Sequence, residues 1–253
     1  MAYKIVYAIF YAMSLLPYRV MYCISDFFYL IIYYIVGYRK NVVRKNLTTA
    51  FPDKDEKEIV SIEKGYYHWL CDYFVEALKL LSVSDKTLLK HIEFRNVEEL
   101  EQHYDRGQTC AAILGHYCNW ELLSATGLAF KRHKDAVCGL IYHPLRSDIF
   151  DELFKDIRQS KGGVCIPKRD ILRYLVTYKR EKRMWLFGYI SDQSPKWSNI
   201  HLWLPFLNHD TPVFTGGERI MRKMNDAVFY VDMERPKRGK YICTFRLMTD
   251  KPA

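Results

Sequence analysis

Four short apolar runs punctuate the middle of this chain: TCAAILG (109–115), AVCGLIY (136–142), GVCI (163–166) and MWLFGYIS (184–191). Each is bounded by glycine, charge or turn residues, and each is too short for a buried helix, so all four read as strands. Helical stretches lie between them, one from about Trp120, one over 147–160 and one over 169–180. Strands that alternate with helices imply crossover connections and hence a mostly parallel sheet. The fold class expected is therefore α/β, a mixed, mostly parallel sheet flanked by helices. Upstream, a strand near Ile92–Arg95 precedes a polar helix, VEELEQHYDRG, which Gly107 ends. The segment 58–81, EIVSIEKGYYHWLCDYFVEALKLL, has the period of one long helix packed on the core. A long loop over 192–215, a helix over 216–225 and two strands, AVFYVDM and YICTFRLM, complete the pattern.

At 253 residues, 49% of them hydrophobic, the chain can bury a sizeable core and has no disordered composition. Its seven cysteines form no CxxC pair and are odd in number, which fits reduced thiols rather than a disulfide framework. A net charge of +9 calls for a polyanionic partner, whether nucleic acid, anionic lipid or an acidic carrier. With no helix-turn-helix, zinc-finger or RNP motif in the sequence, nucleic acid is set aside.

Two apolar runs open the chain. Residues 5–16, IVYAIFYAMSLL, are uncharged but too short to span a bilayer; residues 20–38, VMYCISDFFYLIIYYIVGY, are just long enough and carry only Asp26. A buried helical pair, a single span and an interfacial hairpin all fit these runs, and membrane association is the reading adopted. Arg39, Lys40, Arg44 and Lys45 follow directly, so the positive-inside rule puts them and the body after them in the cytoplasm. The expected organisation is a membrane-associated helical segment over 1–38 and an α/β domain over 39–253.

The strand 109–115 runs into Gly115-His116, and Glu121 follows five residues after the histidine. In open α/β sheets functional groups collect at the carboxyl ends of the strands, where His116 stands. Within one helix, five steps of about 100° would point the two side chains apart. With His116 in the turn and Glu121 in the first helical turn, the carboxylate could orient the imidazole as a general base. Roughly one such His-x4-acid pair is expected by chance in this composition. The chain has two, the second being His143–Asp148, and only the first is led by a small-residue strand and flanked by Asn119 and Trp120.

The heptapeptide GHYCNWE resembles the His-x4-Asp/Glu signature of the lysophospholipid acyltransferase superfamily, and more closely the GHxGNWE form of the lipid A biosynthesis (lauroyl/myristoyl) acyltransferases. Three further blocks stand along the chain in the same order as in that family. YRKNVVRKNLTTAFP (38–52) is similar to the segment after its N-terminal hydrophobic helix. SDQSP (191–195) and LPFLNHDTPVFTGG (204–217) resemble its Asp-Gln, Pro-Phe-Phe-Gly and Thr-x-x-Gly blocks. The resemblance implies a glycerolipid acyltransferase-like fold, with His116 as base, Glu121 as its partner, and no metal, cofactor or covalent acyl-enzyme. It implies a fatty acyl donor on acyl carrier protein or CoA, a lipid acceptor of the lipopolysaccharide pathway, and a place on the cytoplasmic face of the bacterial inner membrane. Three departures stand out. Cys118 replaces the family's usual glycine; Tyr142-His143-Pro144 stands where Tyr-Arg-Pro is common; and the family's C-terminal helix is expected to be absent after Ala253.

Around the pair, Asn119 is expected to contact substrate, and Arg146 to supply the charge that His143 lacks. Asp192 and Gln193 follow a strand and belong at the same sheet edge, in contact with substrate or in a loop turn. Thr215 and Gly216 open a helix whose amides could hold an anion, or act as a cap alone. Lys168, Arg169, Arg173, Lys179, Arg180, Lys182 and Arg183 form a basic band suited to an acidic carrier or anionic lipid. Cys118 beside His116 admits a Cys–His nucleophile as a minor reading. The function expected is acyl transfer to a hydroxyl or amine of a lipid; a lipid ester hydrolase with the same dyad and an inactive relative are the rivals.

Overall fold

The computed structural model describes residues 2–252. The strands, in chain order, are β1 (Ile92–Arg95), β2 (Cys110–Leu114), β3 (Val137–Tyr142), β4 (Val164–Pro167), β5 (Trp185–Ile190), β6 (Trp203–Phe206), β7 (His209–Pro212), β8 (Ala227–Lys237) and β9 (Lys240–Thr249). The helices are α1 (Ala2–Ser14), α2 (Tyr18–Leu30), α3 (Lys40–Ala50), α4 (Glu56–Lys79), α5 (Asp85–Leu88), α6 (Val97–Asp105), α7 (Asp148–Gln159), α8 (Ile171–Arg180) and α9 (Gly216–Met224). Seven strands form one sheet in the order β1-β9-β8-β2-β5-β3-β4. Only the β8–β9 pair is antiparallel, so the sheet is mixed and mostly parallel, as the strand–helix alternation predicts.

The sheet is covered on both faces, and its strands show why. Cys110, Ala112 and Leu114 of β2 join Leu186, Phe229 and Val231 in one core, while Ala111 packs with Trp185, Phe187, Met221 and Val228 in another. Small residues at the centre of β2 let helices approach from either side, which is the burial expected of a central parallel strand. The element ends follow local chemistry. Asp55 and Glu58 make a reciprocal capping box at the start of α4. At the end of α6, Gly107 takes φ +72° while the Gly107 and Gln108 amides donate to Tyr104 and His103, a Schellman closure.

Two elements differ from the sequence expectation. The stretch from Trp120 coils as a 3₁₀ helix through Ala129 instead of an α-helix. The expected loop 192–215 contains the β6–β7 hairpin, which pairs Phe206 with His209 and stands apart from the main sheet. Pro205 inside β6 and the lack of apolar alternation hide it from a pattern search.

The N-terminal helices pack along α4. From Tyr18 to Val36 the chain is one continuous helix, its last six residues π-helical, long and apolar enough by composition to cross a membrane. Its inner face is nonetheless tied to α4 by polar contacts. Ser25 donates to Asp72 at 2.7 Å, Tyr22 to Glu76 at 2.8 Å and Tyr33 to Glu63 at 2.9 Å. Asp26, the one charge in the apolar run, pairs with Arg238, which also grips Asp72. The outer face is apolar, with Phe27, Leu30, Ile35 and Val36 exposed.

At the opposite, amino edge of the sheet, Asp226 is fully buried and accepts from Thr109 at 2.5 Å and Trp185 at 3.0 Å. Its second oxygen has no partner among the described residues. Burial, only partly offset by those two hydrogen bonds, pushes its carboxyl up from 3.8 to about 6. A carboxyl that keeps its proton longer when folded stabilises the fold at low pH, and that contribution is lost as pH rises from about 4 through 6. Wild type should therefore lose about 2 kcal/mol relative to Asp226→Asn between pH 4 and 7, at 1.36 kcal/mol per pKa unit. Melting temperatures of the two proteins across that range check it; parallel curves would show that Asp226 does not titrate there.

Candidate active site

β2 and β5 are adjacent and parallel, with Leu114 opposite Ile190, so both strands end at the same edge. The ladder continues one step further through the Ser191 amide to the Leu114 carbonyl at 3.1 Å. The next residues out, His116 and Asp192, are thereby brought side by side. Asp192 grips the histidine at two points. One oxygen accepts from the His116 backbone amide and the other meets the ring Nδ1, each at 2.7 Å. Gly115 makes room for this grip, since a Cβ there would sit 3.1 Å from the Asp192 oxygen. An ionised carboxylate only accepts, so Nδ1 carries the proton and Nε2 is left as the basic nitrogen. Gln193 Nε2 lies 3.5 Å from that nitrogen, and the ring stands edge-on to Trp120 with centroids 4.8 Å apart.

Glu121, which the sequence pairs with His116, is bound elsewhere. Arg158 on α7 holds it with two hydrogen bonds of 2.7 Å, and the Tyr73 hydroxyl of α4 donates to it at 3.0 Å. The reason lies in the turn between the two residues. Cys118 adopts a left-handed conformation, φ +52°, and Asn119 is fully buried with its amide on Glu76 at 2.9 Å. The chain thus enters a 3₁₀ coil that sends Glu121 down towards α4 and α7. Burial works against the Arg158 charge, but the hydrogen bonds and charge of Glu121 prevail and raise the guanidinium's pKa.

His116, Glu121 and Arg158 all line one cavity of about 780 Å³ at the carboxyl edge. Its walls come from both faces of the sheet: Leu114, Leu186 and Val231 on one side, Ile141, Tyr189 and Ile220 on the other. The interior is apolar, and Lys168 and Arg169 add positive charge. Gly216 and Gly217, the first turn of α9, also face it.

The expected site residues separate on this geometry. His116, Asp192 and Gln193 come together, and Gly216 lies on the same cavity wall. Asn119 is fully buried beneath the turn, with its amide on Glu76. Arg146 is exposed on the surface, and Arg158 brings to the cavity the positive charge expected of it. Thr215 precedes α9 without a side-chain cap bond. Arg158 and Tyr73 escaped the sequence reading. One signal existed for Arg158: it shares a stripe of α7 with Asp151 and Phe154, seven and four residues earlier, and a charged residue on the inward stripe of a helix needs a partner. The Cys118 reading fails on chemistry. Its thiol is buried against the Met233 carbonyl, and burial pushes it up to about 11, so it is no thiolate nucleophile at neutral pH.

Residues 2–250 match the family model described as bacterial lipid A biosynthesis acyltransferase, nearly the whole chain. The chain belongs to this family. No curated protein matches it. For an acyltransferase the cavity has a suitable form, with an apolar interior of the kind a hydrocarbon chain fills.

Proposed function

We propose that this acyltransferase moves a fatty acyl chain from a thioester, on acyl carrier protein or CoA, to a hydroxyl or amine of a lipid A precursor, with His116 as general base. The reading rests on one observation: Asp192 holds His116 by Nδ1 while Nε2, met among the described residues only by the Gln193 amide at 3.5 Å, is left as the basic nitrogen of a ring that lines an apolar cavity. The acceptor hydroxyl gives its proton to Nε2 as its oxygen attacks the thioester carbon. The C–O bond forms, the C–S bond breaks, and the imidazolium returns the proton to the departing thiolate. Asp192 fixes the tautomer and supports the transient positive ring. Arg158 and the first amides of α9 are among the positive groups of the cavity and would serve the oxyanion. Glu121, held by Arg158 and Tyr73, sets the position of that arginine instead of touching the imidazole.

Acyl carrier protein is the favoured donor because Lys168 and Arg169 bring positive charge to the cavity and Arg173 is exposed on the following helix. The cytoplasmic face of the inner membrane is the favoured location. It suits the apolar outer face of α2 and the basic run after it, of which Arg44 is already engaged by Glu63. The test is lipid profiling by mass spectrometry of cells lacking the gene, complemented with wild type or His116→Ala. Wild type alone should restore the acylated lipid. Free fatty acid formed equally with and without acceptor lipid would point to hydrolysis instead.

A further inference from the structure

The β6–β7 hairpin leaves apolar side chains exposed. All four residues of β6 are exposed; Trp203 and Leu204, which point to opposite faces of the ribbon, are each 47% accessible, and Phe206 at its end is 63% accessible. Trp197, just upstream, is 84% accessible. The turn compounds this. Leu207 and Asn208 carry the two left-handed conformations, φ +49° and +61°, of a two-residue turn. Asparagine suits such a position, but a leucine there costs about 1 kcal/mol or more, and in water it covers no core in return. A strained, solvent-facing leucine at the tip of an apolar ribbon marks a surface that meets something apolar.

The hairpin's neighbours identify what it meets. Asn208 donates to the Thr49 carbonyl at 3.1 Å, fastening the tip to the end of α3. That helix directly follows the apolar segment Tyr18–Val36, whose last turn exposes Tyr34, Ile35 and Val36. From Lys196 to Phe214 the only acidic residue is Asp210, against one lysine and two histidines. Aromatic and leucine side chains in a segment with so little charge fit a lipid interface. The roots of the hairpin lie in the site itself: Asp192 and Gln193 lead into this segment, and Phe214 and Gly216, which line the cavity, lead out of it.

We propose that the hairpin is a second membrane-docking element, seating Trp203, Phe206 and Leu207 in the surface of an anionic phospholipid bilayer. It rests on the membrane-bound reading above and extends it. By docking, the hairpin fixes the segment that carries Asp192 and sets the cavity mouth against the lipid that supplies the acceptor.

The experiment uses the full chain with vesicles of phosphatidylethanolamine and phosphatidylglycerol, part of the lipid brominated in its acyl chains to quench tryptophan. Five tryptophans are present, and Trp69, Trp120 and Trp185 lie outside the hairpin as internal references. Brominated lipid should quench wild type, and Trp197→Phe/Trp203→Phe should lose more than half of the quenched emission. Phe206→Glu/Leu207→Glu should abolish that component while the protein still floats with vesicles through its N-terminal segment. Quenching unchanged by the tryptophan replacements would overturn the proposal. So would a wild-type dimer that the glutamate variant converts to monomer, which would give this surface to a second copy. A wild type that brominated lipid fails to quench, with lipid profiles intact, would count against the hairpin alone. Normal quenching with an active His116→Ala protein would instead count against the proposed chemistry.

Discussion

His116→Ala should reduce acyl transfer by about 10³-fold with the fold intact, since a positioned general base contributes typically 10²–10⁴. The side chain is 32% accessible and its ring touches mainly Asp192 and Trp120, so melting should move little. Asp192→Asn is the more informative companion. An amide is nearly isosteric with the carboxylate but has lost the charge that steadies an imidazolium, and it can turn its NH₂ towards Nδ1 and favour the other tautomer. A loss of about 10²-fold or more in kcat, with KM little changed, is expected from a partner needed only when positive charge develops on the ring. Rates with acyl carrier protein thioester and a lipid A precursor in detergent give both values. A fully active Asp192→Asn would remove this residue from the mechanism and return the role to Glu121.

Arg158→Met carries the second large effect, on stability. Glu121 is 2% exposed, and two of its three hydrogen bonds come from this guanidinium. Removing one partner of a buried ion pair typically costs about 3–5 kcal/mol, because the remaining charge has neither water nor counter-ion. For a chain of this size that corresponds to a fall of about 6–20 °C in melting temperature. Arg158→Met/Glu121→Leu should recover most of the loss, since an apolar pair of similar volume leaves no buried charge. Activity separates the two roles of the arginine. If it serves only to hold Glu121, the double variant regains activity with stability; if it also faces the oxyanion, stability returns and the rate does not.

Much of the sheet was legible because a strand's ends are local. β1 spans Ile92–Arg95, where the sequence puts a short strand, and Gly107 closes α6 where the sequence puts it. The long helix of 58–81 appears as α4, set two residues earlier by a capping box at Asp55. The partner of His116 was not legible, for a physical reason. Spacing along a chain reports which residues share a turn, whereas Asp192 arrives from an adjacent parallel strand, 76 residues away. Only the register of β2 against β5 brings them together, and no local pattern encodes that register. The sequence does place Asp192 and Gln193 at the correct edge, because both follow a strand. The turn that diverts Glu121 was partly visible: Cys118 stands at the glycine position of the motif the heptapeptide resembles, and its positive φ is a conformation glycine adopts freely.

The contacts between α2 and α4 carry a mechanical implication. A helix joined to its catalytic body by a flexible linker could ride at any distance from the site it serves. Here Tyr22, Ser25 and Tyr33 bolt it along three successive carboxylates of α4, so anchor and catalyst move as one rigid piece. If the outer side of that piece settles in lipid, as proposed above, the altitude of the His116 nitrogen above the hydrocarbon is fixed. Acceptors would then be sorted by the height at which they present their nucleophile, a headgroup gauge built from three hydrogen bonds rather than from any pocket.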